Sequence, residues 1–220
     1  MSEAKSERAF LGMTFARLRR VVESILFLGL AGATGALFFF AWLAEEVLEG
    51  ETQRFDESVR VAVHSFATPS LTVLMHGITT LGSTTLLITI GVCVAFAFML
   101  VGWRRGVVLF AITMAGAIIL NAALKLSFHR ARPVPFFDTP LPSSYSFPSG
   151  HALFSVCFYG VLAWLITARI HRRATQISIW TLAVFLVSLI GLSRIYLGVH
   201  YPSDVLAGYA AAFVWLVGVT

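Results

Sequence analysis

Two histidines, three cations and one carboxylate stand at the ends of strongly apolar stretches, in an order and spacing that could hold and transfer a phosphate-like anion. They fall into three groups: Lys125 with Arg132-Pro133, then Pro148-Ser149-Gly150-His151, then Ser193-Arg194 followed by His200 and Asp204. Ionisable groups are costly in an apolar setting and are read there, by default, as functional. The Arg guanidinium offers a planar fork that matches phosphate oxygens, and Lys adds a compact point charge. Lys125 and Arg132 are seven residues apart, which on a helix of about 3.6 residues per turn puts both on nearly one face, with Pro133 stopping the helix. Ser149 is placed to cap a helix that begins at Gly150, whose free N–H groups form an anion site. Gly150 lets an oxyanion approach the backbone, and His151 can move a proton at the same place.

A carboxylate beside a histidine fixes the imidazole tautomer and stabilises the charge that builds as the ring attacks or takes a proton. Because Pro202 disfavours helix at Tyr201, His200 is predicted just before the last helix and Asp204 in its first turn. His129 and Arg130 lie between the first two cations and could touch a second phosphate; a solvated helix end is the plainer alternative. Singly, each group has an ordinary explanation: snorkelling cations, a helix cap, an interfacial histidine. Those explanations weaken together because order, spacing and membrane side agree.

The elements that must position these residues are helices in a bilayer. The chain has 220 residues, 58% of them hydrophobic and 12% charged, with a mean hydropathy of +0.84, which excludes an ordinary soluble domain. Six stretches approach the length needed to cross a hydrocarbon core: Ser24–Leu43, Ser83–Trp103, Gly106–Phe128, Gly150–Thr167, Ile177–Tyr196 and Ser203–Thr220. The predicted fold is therefore all-α, a six-transmembrane-helix bundle forming one domain over 1–220. A secretory signal is argued against by the apolar run continuing through Leu37-Phe38-Phe39-Phe40. The last stretch runs to Thr220, which leaves room for a C-terminal tail.

Residues 45–81 are predicted to be a short interfacial amphipathic segment, with Phe55, Val59, Val63 and Phe66 on its apolar side and the acids from Glu45 to Glu57, Asp56 among them, on a solvated face. Thr68-Pro69 reads as a cap and first-turn proline, and Gly82-Ser83 as a break before the second span. The segment 129–148 is an outward loop, rich in proline and aromatics, that could act as a lid or acyl-chain guide. Cys93 and Cys157 fall inside spans and suggest neither a disulfide nor a metal knuckle. The histidines His64, His76 and His171 read as structural.

These signatures resemble the type 2 phosphatidic acid phosphatase superfamily, whose pattern specifies Lys125, Arg132-Pro133, Pro148-Ser149-Gly150-His151, Ser193-Arg194, His200 and Asp204, and all eleven positions match. The resemblance implies hydrolysis of a lipid phosphate without metal or other cofactor, through a phosphohistidine. His200 would be the nucleophile, Asp204 its orienting partner and His151 the acid for the leaving group. Lys125, Arg132, Ser149, Gly150 and Arg194 would hold the phosphoryl oxygens. The substrates that fit are undecaprenyl diphosphate, favoured on the sequence, and phosphatidylglycerol phosphate, phosphatidic acid or lipid A phosphate. Vanadate-dependent haloperoxidases share the site signatures but are soluble, and a lipid flippase or channel would use the charges only to attract headgroups. The implied partners are the bilayer and its lipid phosphate, with no nucleic acid and no obligate protein partner.

Basic residues set the orientation. With the N-terminus inside, ten fall on the inner side (Lys5, Arg8, Arg17, Arg19, Arg20, Arg104, Arg105, Arg169, Arg172 and Arg173) against six outside, and the latter include three of the site cations. The residues 1–20 are then cytoplasmic, and the site faces outward from a cytoplasmic membrane. In a background lacking Cys93 and Cys157, a cysteine at Ser144 should react with an impermeant thiol reagent in intact spheroplasts while one at Gln176 stays protected. The reverse labelling pattern would invert this topology.

Overall fold

The computed structural model describes the backbone of residues 2–137 and 142–220, and side chains from residue 23 onward apart from 25 and 138–141. The basic side chains of the first twenty residues and the middle of the outward loop lie outside the described residues. The chain forms α1 (Ser2–Glu49), α2 (Gln53–His64), α3 (Pro69–Thr80), α4 (Thr84–Leu100), α5 (Arg104–Phe128), α6 (Gly150–Thr167), α7 (Arg173–Tyr196) and α8 (Pro202–Val219). Among the described residues, five helical segments are long and apolar enough to span a membrane by themselves. A sixth candidate is the pair α3 and α4, bent by 48° at the break, whose two helices pass the same test only together. At 17 residues, α4 alone reaches only about 26 Å, short of a hydrocarbon core of about 30 Å.

Local chemistry explains the helix starts. Thr68 caps α3, its Oγ1 accepting from the Leu71 N–H, and Pro69 takes the first turn. Ser83 caps α4 in the same way through the Leu86 N–H. Pro202 opens α8, where its missing N–H costs nothing.

The bundle is built round α6 and α8, whose apolar windows are 56% buried, whereas those of the other spanning helices are only 6 to 17% buried. α6 packs against α5, α7 and α8; α8 packs against α1 and α6. Two apolar clusters fill this centre, one around Phe110, Phe158 and Val161, the other around Leu153, Cys157 and Ala212. The outer helices present Phe27, Phe38, Phe96, Met99 and Ile119 on their exposed faces. A contiguous apolar surface of this extent suits lipid rather than water.

The segment after α1 departs from expectation. α2 is helical, but its buried face is rotated by one residue: Thr52, Asp56 and Arg60 turn inward, while Phe55 and Phe66 are 52% and 73% exposed. Asp56, expected on the solvated face, is completely buried. A charged pair is drawn inward because partners wait there: Arg130 for Asp56, and the Val134 carbonyl with the Phe136 and Tyr201 rings for Arg60. A buried charge persists only when it is paired.

α6 and α8 approach closely at Gly208, where a Cβ would lie 2.8 Å from the Ser149 carbonyl oxygen and 3.0 Å from the Ala152 Cβ. Backbone cannot yield as a side chain can, so this contact fixes the start of α6 against the start of α8. Gly208→Ala should force the two helix ends apart, at about 1–3 kcal/mol of overpacking, visible as a lower thermal midpoint in detergent. An unchanged midpoint would mean the ends are not fixed there.

Candidate active site

The loop between α7 and α8 carries His200. α7 ends at Tyr196, Gly198 turns the chain at a φ of +72°, and the Val199 N–H closes the turn on the Arg194 carbonyl at 3.2 Å. A side chain at Gly198 would be strained by that φ and would also collide with Phe136, 2.7 Å from its backbone nitrogen. The turn delivers His200, buried, four residues before Asp204. As the sequence predicts, His200 precedes the helix and Asp204 lies in its first turn.

Asp204 is fully buried and saturated with donors. Its Oδ2 accepts from His200 Nδ1 at 3.2 Å, from the Tyr201 N–H at 2.9 Å and from the Ser146 hydroxyl. Its Oδ1 accepts from Arg130 at 2.7 Å. This assigns the His200 proton to Nδ1 and leaves the lone pair on Nε2, where Arg132 Nη1 donates at 3.1 Å. Burial pushes the His200 imidazole down to about 3, outweighing the pull of Asp204 in the other direction. The ring is therefore neutral, with a nucleophilic lone pair at neutral pH.

Lys125 and Arg132 converge, but not by sharing a helix face. α5 ends at Phe128, His129 takes a left-handed turn at a φ of +48°, and Arg132 lies in the extended segment that follows. From there Arg132 Nε donates to the Ser144 carbonyl at 2.8 Å and Nη1 to the Val199 carbonyl at 3.1 Å. Lys125 Nζ donates to the Tyr145 carbonyl, which Arg132 Nη2 also reaches at 3.3 Å. Burial lowers the Arg132 guanidinium from its ordinary value, against the opposing charge of Asp204.

Ser149 occupies the cap position of α6, yet its hydroxyl makes no cap bond and is buried without a partner among the described residues. Its backbone N–H donates to the Asp204 carbonyl at 2.9 Å, joining the second signature to the third. Arg194 is buried in the last turn of α7 and donates to Thr79 Oγ1 of α3 at 2.7 Å, its Nε without a partner among the described residues. His151 lies within Coulombic reach of Arg194, His200, Arg132 and Lys125. Residues of the first and third signatures thus surround the histidine of the second.

The residues between the cations behave differently. His129 is exposed, its ring edge-on to Tyr145 with centroids 4.6 Å apart. Arg130 is held between two buried carboxylates, 2.7 Å from Asp204 and 2.7 Å from Asp56. Burial opposes its charge, but Asp204 and Asp56 outweigh it and raise its pKa above the ordinary value. Both Nη atoms of Arg130 are thus engaged with protein groups, where the sequence suggests a cation open to a second phosphate.

Sequence reasoning also missed Asp56, Asn121 and Ser146. Asn121 stands one turn before Lys125, its Oδ1 buried without a partner and 3.3 Å from where a Gly150 Cβ would lie. It lines, with Lys125, Ser143, Ser144 and Tyr145, a groove of about 540 Å³ leading to the cations. The i, i+4 spacing of Asn121 and Lys125 is the one signal that could have pointed to it.

Residues 106–220 match the family model described as "PAP2 superfamily". The chain is 32% identical over 177 residues to phosphatidylglycerophosphatase B of Bacillus subtilis, covering 78% of this chain and 85% of that one. It is 35% identical over 107 residues to an undecaprenyl-diphosphatase of Sulfolobus acidocaldarius, 46% of this chain and 45% of the relative. The crystal structure of the transmembrane PAP2-type phosphatidylglycerolphosphate phosphatase from Bacillus subtilis superposes with a TM-score of 0.78 at 29% identity, covering 85% of this chain and 93% of that one. With a buried histidine–aspartate pair facing three convergent cations inside a bundle of this shape, the chain belongs to the PAP2 superfamily of membrane phosphatases and is a phosphoric ester hydrolase.

Proposed function

We propose that this protein hydrolyses a lipid phosphate monoester at the outer face of a cytoplasmic membrane, through a phosphohistidine on His200. The observation that carries the reading is the geometry of the buried His200 ring, with Nδ1 3.2 Å from Asp204 Oδ2 and Nε2 3.1 Å from the Arg132 guanidinium. In the first step Nε2 attacks phosphorus and the bond to the lipid oxygen breaks, while His151, protonated once the phosphate dianion is bound beside it, donates that proton to the lipid oxygen. In the second, His151 takes a proton from water as its oxygen attacks phosphorus, and the P–N bond breaks to free phosphate and restore the imidazole. Asp204 stabilises the positive charge that the ring carries between the two steps. Lys125, Arg132 and Arg194, with the N–H groups at Gly150 and the Ser149 hydroxyl, hold the phosphoryl oxygens, and the Arg132 N–H that donates to Nε2 turns to one of them. Phosphoryl transfer asks a protein chiefly for positioning and charge stabilisation, which this set supplies.

Phosphatidylglycerol phosphate is the substrate we favour. It is the one named for the relative and for the structure that match most of this chain, and Arg130, the cation that would have held a second phosphate, is engaged elsewhere. Undecaprenyl diphosphate is the second reading, supported by the name of the shorter match and by the exposed His129. Phosphate release from phosphatidylglycerol phosphate, phosphatidic acid, undecaprenyl diphosphate and lipid A decides between them. The fastest turnover should be on phosphatidylglycerol phosphate, and inactivity on it would remove the reading.

His200→Ala should abolish turnover, since covalent catalysis has no substitute for its nucleophile, whereas His151→Ala should keep trace activity on substrates with good leaving groups. Orthovanadate should inhibit as a mimic of five-coordinate phosphorus, and chelators should leave the rate unchanged. More than a few per cent of wild-type activity in His200→Ala would put the nucleophile elsewhere.

The low proton affinity of His200 has a signed consequence for stability. With a folded value of about 3 against an ordinary 6.5, the unfolded chain binds the extra proton between those limits. His200 therefore contributes fully above pH 6.5, and that contribution is lost as pH falls, by at most about 1.4 kcal/mol per pH unit. Between pH 7 and 5 the thermal midpoint in detergent should fall more for the wild type than for His200→Gln. Parallel declines would mean that His200 protonates freely in the folded protein.

A further inference from the structure

Asp56 lies outside the residues that match the family model, on a helix whose composition gives no hint of catalysis, yet it is fully buried beside the reacting pair. Its Oδ1 accepts from the Ser203 N–H at 2.9 Å, and its Oδ2 from the Ser203 hydroxyl at 2.6 Å and from Arg130 at 2.7 Å. Arg130 in turn donates to Asp204 at 2.7 Å and to the Ser203 hydroxyl at 2.7 Å. Thr52 accepts from the same guanidinium at 3.3 Å, and the Tyr201 ring lies 4.1 Å from it. Both Nη atoms of the Arg130 guanidinium are thus engaged, and both of its carboxylates are sealed from solvent.

Anchoring α2 does not call for such an arrangement. Apolar side chains of similar volume would dock a helix at least as firmly, since a buried ion pair costs much of its attraction in desolvation. Charge balance at the site gives a reason for it. Asp56, Arg130 and Asp204 together carry one net negative charge, the value a single carboxylate would present to His200. Without Asp56 the sum beside His200 would be zero; without Arg130 it would be two negative charges in a medium of low dielectric, where such differences are felt strongly.

We propose that Asp56 and Arg130 are positioning residues for the reaction: Asp56 holds the Arg130 guanidinium against Asp204 and offsets its charge, so that Asp204 keeps both the orientation and the negative charge that His200 needs when phosphorylated. Arg130 acts on Asp204, Asp56 acts on Arg130, and neither touches the substrate. The proposal rests on His200 as nucleophile and adds to it a residue from α2.

The test uses the full chain purified in detergent, with whichever lipid phosphate of the panel above is turned over fastest. Asp56→Asn should lower kcat by about 10–100-fold, the effect of one charge-assisted contact, with KM changed by less than about threefold. Arg130→Gln should lower kcat as well and should raise the pH at which the His200 ring protonates, read by nitrogen NMR of labelled histidine. The double variant Asp56→Asn/Arg130→Gln restores one net negative charge and should recover both kcat and the ring's protonation pH toward wild type. Asp56→Glu should retain more kcat than Asp56→Asn.

A merely structural role would lower the thermal midpoint without moving the His200 protonation pH. Wild-type kcat in Asp56→Asn, or a double variant no better than Arg130→Gln, overturns the proposal. If Asp56→Asn does not fold alone, the double variant and Asp56→Glu carry the same comparison. Turnover surviving in His200→Ala would instead remove the parent reading, while the NMR comparison would still report whether Arg130 and Asp56 govern the pair.

Discussion

Keeping the Asp204 carboxylate charged in the interior is the constraint on which the rest of this structure depends. An isolated carboxylate there would take up a proton rather than remain ionised. Asp204 avoids this with donors from four places: His200, the Tyr201 backbone, Ser146 and Arg130. Each donor in turn requires a piece of the fold. Tyr201 and His200 need the turn at Gly198 and the proline start of α8; Ser146 needs the loop between α5 and α6, pinned by its own N–H on the Arg130 carbonyl at 2.8 Å; Arg130 needs α2. Much of this end of the bundle is therefore organised around one carboxylate.

The apolar part of the molecule serves this end by rigidity. α6 and α8, the two most buried helices, begin side by side, their starts joined by the Ser149 to Asp204 backbone hydrogen bond and by the close approach at Gly208. The two histidines are thereby borne by one rigid unit, His151 in the first turn of α6 and His200 just ahead of α8. α3 adds the Thr79 hydroxyl to Arg194. The cations Lys125 and Arg132 come from the less buried α5 and the loop after it, where their hydrogen bonds run to carbonyls that a phosphate can replace. On the proposed mechanism, the acid–base and nucleophilic groups thus stand on the most buried elements, and Lys125 and Arg132 on more adaptable ones, as preorganised catalysis favours.

The polar atoms around Asp204 pair with one another. The Ser149 hydroxyl, the Asn121 carbonyl and Arg194 Nε, by contrast, are buried without partners among the described residues, as are Arg60 Nε, His64 Nδ1 and Ser155 Oγ. Unpaired buried groups cost stability and call for an explanation such as a ligand that satisfies them. Ser149 at the start of α6 and Asn121 in the groove at Lys125 lie where the proposed mechanism binds phosphoryl oxygens.

By itself the sequence determined the apolar helices, the cap at Thr68, the break at Gly82-Ser83, the place of His200 before α8, and the residues of the three signatures. These depend on hydropathy over a helix length or on hydrogen bonds between residues three or four apart, so neighbouring letters suffice to read them. The tertiary structure decided what neighbouring residues do not carry: that Lys125 and Arg132 meet across a left-handed turn rather than along a helix, that Arg130 pairs with two buried carboxylates, and that Asp56 leaves the solvated face for the interior. Arg130 is 74 residues from each of its acidic partners. Among the six acids between Glu45 and Glu57 nothing local marks Asp56, because the free energy that draws a charge inward depends on a partner already buried there, and only the fold brings that partner near.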